Sequence, residues 1–173
     1  MKTRQNILAG WAAIALLCLA TLPTTACAPQ STIAALTSTL GNAAASIAVI
    51  EGNTTLAAQL QTDTAAAVTA IQNWKSGTPA QNVVAALNIV IQDINLICAN
   101  GICGSYEPLI VLALGTVQSI IAIVDPGATP AEAKVGPNAR VHLAYYPVNA
   151  KDFKTQWNNI ANSNSQLAAV AIK

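Results

Sequence analysis

Two segments of this chain are apolar around most of a helical circumference, and nothing else in it constrains the fold as strongly. From Pro79 to Cys98, the residues Val83, Val84, Leu87, Val90, Ile91, Ile94 and Ile97 leave only a thin polar strip of Asn88, Gln92 and Asn95. From Pro108 to Val124 the apolar run is broken only by Gly115, Thr116, Gln118 and Ser119. A helix that is hydrophobic all round is either buried or spans a membrane. The second run is shorter than the roughly 20 residues a span needs and carries polar breaks, so a buried helix is expected. Its β-branched content admits a strand, but its length and its helical neighbours favour a helix.

Three further segments read as amphipathic helices. Between Ser31 and Ile50, Ile33, Leu36, Leu40, Ala43, Ile47 and Ile50 alternate at spacings of three and four, a narrow seam that predicts packing on one side. Gly52-Asn53 stops that helix, and Asn53, Thr54 or Thr55 can cap the next. From Thr54 to Lys75 the stripe is Leu56, Leu60, Ala67, Ile71 and Trp74, interrupted at Asp63 and Thr64. Lys75-Ser76-Gly77-Thr78-Pro79 then reads as a stop and a restart, with Thr78 as cap and Pro79 at the first helical position. With Trp74 before it, the turn offers an aromatic ring and a cation, although an anchoring tryptophan ahead of a plain connection is the simpler reading. After Val124, Asp125-Pro126-Gly127, Thr129-Pro130 and Gly136-Pro137 mark an irregular stretch at about 125–150. A last helix is expected from Lys151 to Ile172, with Phe153, Trp157, Ile160, Leu167 and Ala171 on one face and Asn164 on the same line, either as a buried polar registry residue or where the stripe reaches solvent.

The head of the chain is of another kind. Lys2 and Arg4 precede an apolar stretch from Ile7 to Leu22, which stops at Pro23 and gives way to Thr24-Thr25-Ala26-Cys27. That is the layout of an export signal at 1–26, followed by a single domain at 27–173. The segment resembles the lipobox of bacterial lipoproteins, in which a small residue precedes a cysteine that becomes the lipidated N-terminus. Ala26 and Thr25 fit, whereas Thr24 stands where that class usually carries Leu, so ordinary signal-peptidase cleavage after Ala26 stays open. The resemblance implies lipid attachment at Cys27, a membrane anchor and a cell-envelope location facing the periplasm or exterior. The alternative is a secreted soluble protein.

Cysteine parity agrees with lipidation. Cys18 leaves with the signal, and an exported chain with three cysteines has one too many unless it is otherwise used. With Cys27 acylated, Cys98 and Cys103 form a pair across the Asn100-Gly101 turn. A structural disulfide is the expectation. A redox pair normally has Cys-x-x-Cys spacing, and a zinc site needs two more ligands where the chain has one histidine.

Charge narrows the partners. Charged residues make up 9% of the chain, against about 25% in an average domain. Loss of Lys2 and Arg4 takes the eight basic residues to six against seven acidic ones. No basic patch is available for nucleic acid or for a polybasic membrane contact. His142 has no catalytic or metal-binding company in sequence, and with Arg140, Tyr145 and Tyr146 it forms a candidate contact loop. Asp93 lies on a largely apolar helix and reads as the edge of the polar strip beside Gln92, in preference to a buried functional carboxylate. No phosphate loop, metal cluster or nucleophile motif appears, so neither cofactor nor metal nor enzymatic activity is expected.

The expected fold is a single all-α bundle of four to five helices. The third and fourth form a central apolar hairpin clasped by Cys98 and Cys103, with the others packed outside. The expected role is that of a non-enzymatic interaction or structural module with an envelope protein partner. The alternatives are a binding protein for an apolar small molecule between the third and fourth helices and, more weakly, a membrane-embedded hairpin of the two.

Overall fold

The computed structural model describes residues 30–75, 77–98, 104–133 and 146–173. Among these residues five α-helices pack together: α1 Gln30–Ile50, α2 Thr54–Asn73, α3 Gln81–Ile97, α4 Glu107–Val124 and α5 Ala150–Ser163. Short 3-10 turns occupy Gly104–Tyr106 and Ala168–Val170, and no strand occurs among the described residues. The all-α bundle is as the periodicity predicts.

The α3–α4 hairpin forms, and α4 lies deep in the bundle with eleven of its eighteen residues buried. Its Thr116 is wholly enclosed and donates to the Leu112 carbonyl at 2.7 Å, which satisfies the hydroxyl within the helix. Helix α1 shares the centre with this hairpin. It packs most extensively on α2 and touches each of the other described helices. The seam residues Ile33, Leu36, Leu40, Ala43 and Ile47 are buried as expected, but so are Ala34, Ala44, Ala45 and Ala48 around them. These small residues give α1 a second contact surface that a count of large apolar residues misses. Ile50, at the last helical position, is 44% exposed because it lies beyond the seam's packed length.

Close approach of α1 and α2 depends on Gly41. A Cβ at that position would overlap the Thr64 side chain, whose own Cβ is 2.7 Å from where it would stand. Thr64, an interruption in the α2 stripe by hydropathy, therefore completes that stripe by shape. Asn53 caps α2, its side chain accepting the Leu56 N–H at 3.0 Å. By length and composition, Gln30–Ile50 and Gly104–Val124 could each cross a membrane, but both are largely buried inside the bundle, as core helices are.

Two boundaries differ from the sequence expectation. Helix α3 starts at Gln81 after Ala80, two residues later than the Thr78-Pro79 signal implies. The Thr78 hydroxyl is engaged elsewhere, donating to the Lys75 carbonyl at 2.6 Å. At the other end, α5 stops at Ser163 and the chain turns at Asn164, whose side chain accepts the Gln166 N–H. The tail then folds back on α5. Trp157 donates to the Val170 carbonyl at 2.8 Å, and the Asn158 amide holds both the N–H and the carbonyl of Ile172.

Candidate functional site

The polar strip on α3 is where the fold first departs from a simple bundle. Asn88 accepts the Ala131 N–H at 2.7 Å, Asn95 donates to the Glu132 carbonyl at 2.9 Å, and Gln118 of α4 donates to the Ala131 carbonyl at 3.3 Å. Three amide side chains on two helices thus pin the start of the irregular stretch across the α3–α4 hairpin. An extended backbone has no internal hydrogen bonds, so it requires such external partners. On its far side the stretch is anchored again. The Tyr146 ring lies against α4 where Gly115 has no side chain, and a Cβ there would overlap the ring. Burial raises the Tyr146 phenol above its ordinary pKa. Tyr146 therefore works as an anchor in the described structure. Arg140, His142 and Tyr145, the rest of the candidate contact loop, lie outside the described residues, as do Cys27 and Cys103. Cys98 is buried and disulfide-bonded.

Next to the pinned segment, α3 presents apolar residues to solvent. Ile89 is 45% and Leu96 50% exposed. With Ala85 and Gln92 they recur at i, i+4, i+7 and i+11 along one face, the spacing of a helix-packing seam. No charged residue interrupts it.

Asp93 departs from the sequence reading. It does not border the polar strip; it turns inward toward α2 and is 2% exposed. Its Oδ1 accepts from the Gln59 amide at 2.8 Å, while Oδ2 receives no N–H or O–H donor. Burial, together with hydrogen bonding and repulsion from the Asp63 carboxyl, raises its pKa from 3.8 to about 6, partly opposed by the Gln59 hydrogen bond. Below about pH 6 the Asp93 carboxyl is therefore protonated. The sequence signal was present, since Asp63 breaks one apolar stripe and Asp93 lies in another, but only packing brings them together. Among the described residues no group of three or more His, Cys, Asp or Glu side chains converges as a metal site would require.

Two open grooves lie among the described residues. One of about 620 Å³ follows the α2–α3 turn and is lined by Thr69, Asn73, Trp74, Lys75, Thr78 and Asn82 among others. A smaller one, about 360 Å³, runs between α1 and the C-terminal tail, past Asn42, Ser46 and Ile172. Comparison with known protein families, with curated proteins and with solved structures finds no match.

Proposed function

We propose that this protein is an exported, non-enzymatic interaction module, held at a membrane surface by lipid on Cys27, that docks another envelope protein on the exposed face of α3. The observation that carries the reading is the pair Ile89 and Leu96, two large apolar side chains about half exposed and one heptad apart. Covering the exposed half of each against a partner helix removes apolar area from water worth about 1 kcal/mol per side chain. Gln92 between them supplies a hydrogen-bonding group without a charge, so the matching surface is an apolar, uncharged helix face. Mature net charge near zero gives no reason to prefer an anionic membrane as the occupant. The pinned 128–133 segment borders this face and braces the helix that carries it.

A photo-reactive residue at position 92, introduced into the full chain in its native host, tests the contact. The expected result is one covalent adduct of discrete mass that disappears when Ile89→Lys and Leu96→Lys are combined, with none from the same probe at Thr62 on α2. Absence of an adduct at position 92, or its persistence in the double variant, overturns the docking face. Intact mass of the mature protein tests the tether separately. A chain beginning at Cys27 with the added mass of acyl groups is expected, and an unacylated chain overturns it.

A further inference from the structure

We infer that the groove at the α2–α3 turn is a saccharide-binding site for a chain of sugars that carries carboxylates. Its aromatic floor is already fixed. The Trp74 indole N–H donates to the Thr78 carbonyl at 3.0 Å, and the Thr78 N–H and hydroxyl both donate to the Lys75 carbonyl, at 3.0 and 2.6 Å. Gly77, at φ +85°, makes that tight closure accessible to the backbone. The ring is thereby held at one edge before any ligand arrives, and a site ordered in advance loses less freedom on binding.

Around this platform stand groups suited to hydroxyls. The side-chain amides of Asn73 and Asn82 line the groove and are exposed. Each offers two donors and an acceptor, the complement that neighbouring sugar hydroxyls need. A pyranose ring combines an apolar C–H face with a polar rim, and an aromatic surface flanked by amides matches both. A purely apolar ligand would leave the amides unpaired and gain nothing from them. Lys75 is exposed at the rim with no ion pair among the described residues. No acidic residue lines the groove, so this ammonium is free to face a carboxylate on the ligand. The groove is open, not closed over, and its volume of about 620 Å³ exceeds what one sugar ring fills, which favours a segment of a chain. The site lies at the α2–α3 turn and uses none of the residues of the α3 docking face, so either assignment can fail without the other.

Trp74 also reports on its own occupancy. Trp157 is fully buried and Trp11 belongs to the predicted signal, so a ligand-dependent emission change in the chain starting at residue 27 arises at Trp74. Tetragalacturonate and the neutral tetra-N-acetylchitotetraose are the probes, titrated by fluorescence and by calorimetry. The expected result is saturable binding of tetragalacturonate at about millimolar concentration or tighter. Trp74→Ala is expected to weaken it roughly tenfold or more and Asn82→Ala at least about threefold. Lys75→Gln is expected to weaken the acidic ligand and leave the neutral one unchanged. Asn82 and Lys75 are exposed, so these two variants stay folded even if Trp74→Ala does not. No binding of either tetrasaccharide, or binding that Asn82→Ala leaves at wild-type strength, overturns the site. Equal affinity for the two ligands overturns the preference for carboxylates.

Discussion

Asp93 sits in the α2–α3 interface with one oxygen held by Gln59, the other without a hydrogen-bond partner, and the Asp63 carboxyl nearby. A carboxyl whose folded pKa stands above its unfolded value favours the folded state while it is protonated. That contribution is complete below about pH 4 and is lost as pH rises to about 6. The rise from 3.8 to about 6 corresponds to at most about 3 kcal/mol, reduced by the solvent that reaches the half-buried Asp63. The protein is therefore expected to melt at a higher temperature at pH 4.5 than at pH 7.5 from this group's contribution. Asp93→Asn keeps the acceptor for Gln59 and gives Asp63 a permanent donor. It should raise the melting temperature at pH 7.5 and flatten the slope between pH 4 and 6, both measurable by circular dichroism. An unchanged slope in the variant would mean the carboxyl is not the titrating group. Residue types alone could not have placed this pair, because Asp63 and Asp93 are 30 positions apart and nothing local relates the face of one helix to that of the other.

Among the elements, the α1–α2 contact shows what hydropathy reads and what it passes over. Apart from Ile50 and Trp74 at the stripe ends, the large apolar residues of both stripes are buried as their spacing predicts, because a helical face is a local property of the chain. The fit of Gly41 to Thr64 is not local: it depends on axial register between two helices. Gly41→Ala is expected to force the helices apart and cost about 1–3 kcal/mol, seen as a lower denaturation midpoint. Thr64→Ala in the same chain should recover part of that loss, since it removes the atoms that collide and a buried hydroxyl that has no partner. A double variant no better than Gly41→Ala alone would show that the close approach is not what Gly41 provides. The start of α3 follows the same logic. Thr78 and Pro79 form a sound capping signal, yet the Thr78 hydroxyl and carbonyl close the preceding turn with Lys75 and Trp74, and the helix begins later.

At the scale of the molecule, the C-terminal tail locks the bundle by returning along α5 and against α1. Leu167 and Val170 are buried, and the Val170 carbonyl receives the indole N–H of fully enclosed Trp157. Removing residues 164–173 is expected to cost about 4 kcal/mol from lost apolar burial and the exposed indole. It should shift tryptophan emission to longer wavelength, while Asn158→Ala, which breaks only the two bonds to Ile172, should cost about 1–2 kcal/mol and leave emission in place. An emission maximum unchanged by the truncation would show that Trp157 is covered without the tail. Periodicity, caps and breakers act within a few residues of themselves, so the helical class, the five segments and most of their ends are legible in the chain before it folds. Tertiary structure alone decided that α1 joins the α3–α4 hairpin at the centre, that Asn88, Asn95 and Gln118 fasten a distant stretch of backbone, and that Ile89 and Leu96 stay uncovered. Those outcomes depend on which surfaces meet across long separations in the chain, and small residues and amides take part in that choice without leaving a periodic trace.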